Sequence, residues 1–177
     1  SDVSVVLDLM IHDIDLILSF VQSEIKDIRA SGVCLLTSSI DIANARLEFE
    51  NGAIANVTAS RVSMKRERKI RFFQKDAYLS LDFQEKKVSV LKKAQNFKKI
   101  LPKLLLGMGS IKPEDLVDMK EICIEDGEKD ALTLELESFV DAILHNKRPK
   151  VDGEAGTRAL RVAFSIMDKM KVVKIEE

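Results

Sequence analysis

Between Ile42 and Glu50 the chain alternates strictly: Ala43, Ala45, Leu47 and Phe49 are apolar, while Asn44, Arg46, Glu48 and Glu50 are polar. Successive side chains of a strand point to opposite faces, so this pattern predicts a strand with one buried and one wet face rather than a helix, whose apolar residues recur every three to four positions. Asn51-Gly52 follows at once, the pair favoured in type I′ hairpin turns, and Ala53–Ser60 returns as the antiparallel partner. Ile25–Leu36 precedes this hairpin as an apolar, β-branched stretch. Lys69–Phe73, Ala77–Phe83 and Lys87–Leu91 extend it, with turns at Lys75-Asp76 and Gln84–Lys86. The expectation is an antiparallel meander whose second face needs a cover of helices or of a partner.

Three segments can supply that cover. Leu7–Val21 reads as an apolar helix. Ala131–Asn146 sets Leu132, Leu134, Leu136, Phe139, Val140, Ile143 and Leu144 near helical spacing. Pro149 bars its continuation, and Asp152 can cap a last helix running through Met170. Lys92–Glu114, with Pro102, Pro113, Gly107 and Gly109 in a Lys- and Leu-rich stretch, reads as a loop or short-helix excursion that packs on itself or on a partner. The predicted order is helix, meander, excursion, helix, helix. This is an α+β fold with a largely antiparallel open sheet covered on one face by helices, and a broad, half-covered sheet should self-associate through the face left bare.

With 177 residues, 46% of them hydrophobic, the chain can bury a core of its own. Lys+Arg 28 against Asp+Glu 29 leaves a net charge of −1, so no field for a polyanion is expected and nucleic acid is excluded as a partner. No apolar run spans a bilayer and no signal peptide is evident, which points to a cytoplasmic location away from membranes. Cys34 and Cys123 lie far apart among apolar residues and read as buried free thiols. With only His12 and His145 and no Cys/His cluster, no metal site is expected. The chain starts at Ser1-Asp2 without Met and enters a helix almost at once, so it reads as a fragment.

The segment with the most chemistry is Asp8-Leu-Met-Ile-His12-Asp13-Ile-Asp15, set inside the apolar stretch Val5–Val21. On a helix Asp8 and His12 share a face, so the carboxylate can hold the imidazole, fix its tautomer and leave its other nitrogen free to exchange a proton. The alternative is structural: Asp8 as a helix cap, and His12 as a core histidine bonded to Asp8 or Asp15. Asp13 and Asp15 are expected to face solvent or a neighbouring domain. A second concentration is basic: Arg61, Lys65, Arg66, Arg68, Lys69, Arg71 and Lys75, interrupted by Glu67. Converging near His12, such side chains could hold an anionic substrate, with Arg61 and Lys65 as the first candidates and Asp15 as a further substrate contact. Dispersed, they form a solvated strand face. None of the 7 glycines falls in a G-x-G-x-x-G or P-loop pattern, and no G-x-S-x-G elbow is present. An acid/base pair here would need a cofactor held elsewhere.

Four stretches, in order, resemble one family. They are Val5-Val-Leu-Asp8-Leu-Met-Ile-His12-Asp13-Ile-Asp15-Leu, Ala45-Arg-Leu-Glu-Phe-Glu-Asn51-Gly52-Ala53, Asp76-Ala-Tyr-Leu-Ser-Leu-Asp82 and Arg148-Pro149-Lys-Val-Asp-Gly153-Glu154-Ala-Gly156-Thr-Arg158-Ala-Leu-Arg-Val-Ala. Together they resemble the C-terminal domain of the glucose–fructose oxidoreductase/inositol dehydrogenase family. The resemblance implies that residues 1–177 are a C-terminal substrate-binding and oligomerisation domain, whose partner is the protein's own N-terminal Rossmann domain, missing from this chain. It implies NAD or NADP bound by the full-length protein and none by this part alone. The implied reaction is oxidation of a sugar, cyclitol or nucleotide-sugar hydroxyl, with His12 as the proton-transfer residue, Asp8 as its acidic companion, and the family's active-site Lys in the missing domain. The chain would then be inactive alone, and a homo-oligomer through the sheet face. Met10 stands where many family members have Gly. The alternative function is a non-catalytic assembly module.

Overall fold

The computed structural model describes residues 3–64, 67–94, 97, 102, 106, 116–123 and 130–174. In chain order it holds a π-helical turn Val6–Met10, α1 (Ile11–Phe20), β1 (Ile25–Cys34), β2 (Ile42–Phe49), β3 (Ile54–Ser60), β4 (Lys69–Phe73), β5 (Ala77–Asp82), β6 (Lys87–Lys93), β7 (Val117–Cys123), α2 (Ala131–Leu144), α3 (Gly153–Asp168) and β8 (Met170–Lys174). These divide into two units, one of Ser1–Met64 with Ala131–Glu177 and one of Lys65–Asp130. The meander expected from the sequence is therefore two four-stranded sheets, ordered β3-β2-β1-β8 and β4-β5-β6-β7.

In the first unit the alternation of β2 sets the whole sheet. Its register aligns Ile28, Leu47 and Ala55 in one row, Ala30, Ala45 and Val57 in the next, and Gly32, Ala43 and Ala59 in the third. This face packs against Val5, Val6, Met10, Ile14 and Leu18 of the first helical segment and Ala159, Ala163 and Ile166 of α3. The small residues bring the helices close to the sheet. The opposite face of the same strands is polar. Asn44 Nδ2 donates to Thr58 Oγ1 at 2.7 Å, Arg46 donates to Glu48 Oε1 at 3.0 Å and to Asn56 Oδ1 at 3.3 Å, and Arg29 pairs with Asp27 at 3.0 Å. The open face of this sheet is thus a network of hydrogen bonds, the wet face that the alternation of β2 predicts.

The hairpin forms where expected, with a different turn. Gly52 N–H donates to Phe49 C=O at 3.0 Å, Phe49 N–H to Ala53 C=O at 2.9 Å, and Gly52 alone in the loop has positive φ, at 84°. Type I′ needs positive φ at both central residues, so this is a type I turn closed by a left-handed glycine bulge. Asn51 acts through its side chain, whose Oδ1 accepts from Ala53 N–H.

The last helix stops at Asp168 rather than running through Met170, and the chain returns as β8, parallel to β1 with Gly32 opposite Val172. That strand was not anticipated. It depends on Gly32: a Cβ placed there would lie 2.4 Å from Met170 Sδ and 2.9 Å from Ile40 Cγ2. The thioether can swing aside but the branched Ile40 methyl has less freedom, so Gly32→Val should cost about 1–3 kcal/mol through overpacking. Urea unfolding measures this, and an unchanged midpoint would mean that β8 does not dock as described.

In the second unit the register of β4–β7 places Ile70, Phe72, Leu79, Leu81, Val88, Val90 and Ile122 on one face. The predicted strands are present, with the β5–β6 turn held by Asp82 Oδ1, which accepts from Gln84 and Glu85 N–H at 3.0 Å each. Strand β7 was not foreseen, and most of the Lys92–Glu114 excursion lies outside the described residues. The helix expected over Ala131–Asn146 forms as α2, but of its residues only Ala142 is buried. The two thiols are free, Cys34 half-buried and Cys123 exposed where burial was expected. Among the described residues no helix is long and apolar enough to cross a membrane.

Candidate active site around His12

The segment carrying Asp8 and His12 begins at Ser4. Its Oγ accepts from Val6 N–H at 3.3 Å, and its carbonyl accepts from Leu7 and Asp8 N–H. Ile11 N–H reaches back five residues to Val6 C=O, so the first turn is a π-turn, after which α1 continues normally. Val5, Val6, Met10, Ile14 and Leu18 take the buried side, leaving Asp8, Leu9 and His12 on the exposed side. The segment is a buried helix as expected, but its carboxylate and imidazole are not buried with it.

The spacing argument predicted that Asp8 holds His12. The structure gives Asp8 another partner: Arg61 Nη2 donates to Asp8 Oδ2 at 3.1 Å and to Val3 C=O at 2.6 Å. Helical spacing brings two side chains within reach but does not decide which of the available partners a carboxylate takes. The His12 side chain is exposed and makes no hydrogen bond or ion pair among the described residues. Asp15, three residues on and half-buried, likewise has no hydrogen-bond partner among the described residues.

Behind Arg61 lies a residue that sequence reasoning passed over. Asp41 is fully buried between β1 and β2, and its Oδ2 accepts from the backbone N–H of Leu35 at 2.9 Å, Leu36 at 2.7 Å and Thr37 at 3.0 Å, while Oδ1 accepts from Thr37 Oγ1 at 2.9 Å. These donors, those of Leu36 and Thr37 foremost, hold its carboxyl far below the usual carboxylate range. Arg61 Nη1 stands 3.8 Å from Asp41 Oδ1, and Arg61 N–H donates to Asp41 C=O at 2.9 Å. Arg61 Nε and Nη1 are buried without a hydrogen-bond partner. The available signal was a lone Asp between Ile40 and Ile42, four residues after a Thr.

The basic run is divided. Arg61 belongs to the first unit, and Arg68, Lys69, Arg71 and Lys75 to the second. Lys69 is held by Glu67 at 2.6 Å and Asp82 at 3.1 Å, both of which raise its pKa, and Arg68 lies 4.9 Å over the Phe83 ring. Lys65 lies outside the described residues. No group of His, Cys, Asp and Glu among the described residues has the arrangement of a metal site. Gly32 is packed, Gly52 turns a hairpin, and the N-terminus of α3 beside Gly153 already has Asp152 as its cap, accepting from Ala155 N–H at 2.9 Å.

The first unit is an α+β domain with a largely antiparallel sheet covered on one face by helices. Residues 2–80 match the family model described as GFO/IDH/MocA C-terminal domain. The chain is 33% identical over 165 residues to UDP-N-acetylglucosamine 3-dehydrogenase of Acidithiobacillus ferrooxidans, covering 93% of this chain and 48% of that protein. A solved structure of that dehydrogenase superposes with a TM-score of 0.79 at 32% identity, over 96% of this chain and 49% of the other. Levoglucosan dehydrogenase in complex with NADH shares the fold, with a TM-score of 0.73 at 13% identity over 92% of this chain and 46% of its own. The chain belongs to the GFO/IDH/MocA family of oxidoreductases, and it spans about half the length of the curated relative it matches.

Proposed function

We propose that this chain is the substrate-binding and acid/base half of an NAD(P)-dependent dehydrogenase that oxidises a hydroxyl of a nucleotide sugar. The observation that carries the reading is the 33% identity, sustained over 93% of the chain, to a dehydrogenase whose name specifies a UDP-sugar. The exposure of the His12 side chain, unbonded among the described residues, supports it. A nicotinamide dinucleotide, held by a Rossmann half that this chain does not include, would supply the two-electron acceptor. This chain contributes the proton step: His12 takes the proton of the reacting hydroxyl and returns it in the reverse direction. Asp8, the acidic companion in this reading, is tethered by Arg61 at 3.1 Å, and Asp15 offers acceptor oxygens to a sugar hydroxyl.

Self-association of the full-length, cytoplasmic protein is part of the same reading, supported by the apolar face of the β4–β7 sheet rather than by the polar face of β1–β3. The test is turnover of the full-length protein. It should reduce NAD or NADP with UDP-N-acetylglucosamine at least tenfold faster than with free glucose or myo-inositol, followed by nicotinamide absorbance. Turnover of free sugars alone would remove the nucleotide-sugar assignment, and no turnover on any of them would favour the assembly role.

A further inference from the structure

Arg61 stood among the substrate contacts expected from sequence, yet its guanidinium is turned into the protein. Its side chain is only 20% exposed. One arm, Nη2, joins the carbonyl of Val3 to the carboxylate of Asp8, on either side of the Ser4 that starts the π-turn. The other nitrogens, Nε and Nη1, lie buried without hydrogen bonds, with the ionised Asp41 carboxylate 3.8 Å from Nη1 as their counter-charge. Asp41 in turn winds the 35–41 loop about itself, and Ile40 of that loop accepts from Val5 N–H at 3.0 Å. Three stretches distant in sequence are thus tied at one point: the entry to the His12 helix, the β1–β2 connection and the end of β3.

We infer that Arg61 is a positioning residue for proton transfer: it clamps the π-turn and directs Asp8 away from His12, so that the imidazole is presented free rather than bound to its own neighbour. The inference rests on the His12 reading above. Without the guanidinium, the Asp8 carboxylate loses its partner and the turn its tether, and the imidazole is no longer held at one place relative to the reacting hydroxyl. Errors of this kind fall on the reactive geometry rather than on ground-state binding. A planar two-armed cation suits the position, since a lysine ammonium can face Asp8 but has no second arm to leave against Asp41.

The experiment is steady-state kinetics of the full-length protein with UDP-N-acetylglucosamine and NAD or NADP, for Arg61→Ala, Arg61→Lys, Asp8→Ala, the Arg61→Ala/Asp8→Ala double variant and His12→Asn. Arg61→Ala should lower kcat about 10–100-fold with KM within about threefold, and millimolar guanidinium should restore part of it. Arg61→Lys should fall between, and the double variant should be no worse than the poorer single one, because the two residues act as a unit. A raised KM at unchanged kcat would make Arg61 a substrate contact and overturn the inference. So would a lowered Tm with kcat intact, or additive losses in the double variant. Should Arg61→Ala fail to fold, Arg61→Lys is read by the same criteria. If His12→Asn is inactive while the Arg61 variants keep their kcat, only this inference falls; if His12→Asn turns over normally, the proton-transfer reading falls and this inference with it.

Discussion

His12→Asn in the full-length protein is expected to lower kcat by about 10²–10⁴-fold, the usual contribution of a positioned general base, with Tm changed by no more than about 2 °C. The two halves of that expectation come from one observation. The His12 side chain is exposed and makes no hydrogen bond or ion pair among the described residues, so removing the imidazole withdraws no such contact from the fold. Residues retained for packing behave in the opposite way, losing stability first. Kinetics and thermal unfolding of the same preparation therefore separate the two roles that the Asp8–His12 spacing left open. A variant that keeps its kcat would leave the domain without its proton-transfer residue and favour assembly.

Asp41→Ala should lower Tm by about 5–10 °C, the largest stability loss expected from a polar substitution in the described residues. It leaves the N–H groups of Leu35, Leu36 and Thr37 without their acceptor and takes the counter-charge from the buried nitrogens of Arg61. Asp41→Asn keeps one carbonyl oxygen and should lose less. The acid limb of stability gives an independent check. Because the folded carboxyl titrates well below its ordinary value of 3.8, the unfolded chain takes up the proton first as pH falls. The stabilisation by Asp41 is therefore complete above about pH 5 and drains away as pH drops below 4 towards the folded value. Unfolding measured from pH 6 down to pH 3 should fall less steeply for Asp41→Asn than for the wild type. Parallel acid limbs would show that Asp41 is not the anchor described.

Much of the secondary structure was legible because it depends on neighbours. The alternation of Ala43 through Glu50 is a property of successive side chains, and the register bears it out row by row. Asp152 as a helix cap needs only the N–H of Ala155, three residues on. Where the reading went astray, the deciding partner lay elsewhere in the chain. Met170–Lys174 has too short a pattern to announce a strand, and it becomes one because β1 offers a free edge and Gly32 a gap. Asn51-Gly52 correctly signalled a hairpin, while the turn type followed from which pair closed it, Phe49 with Ala53.

The site shows the same division. His12 and Asp8 stood out as candidates because polar groups in an apolar helical run need a reason, and the family resemblance suggested the role proposed for His12. The pairing of Asp8 was not identifiable, since its partner is Arg61, 53 positions along the chain. By itself the sequence determined what is local and periodic: the strands, the helical faces, the caps, and the family to which those motifs belong. Only the tertiary structure decided which strands share a sheet, that Asp41 anchors a loop, and that Arg61 turns inward to hold Asp8. Periodicity reports which side of an element is apolar, whereas the partner of a charge is chosen by whatever the fold brings within about 4 Å of it, and that distance is set by every residue in between.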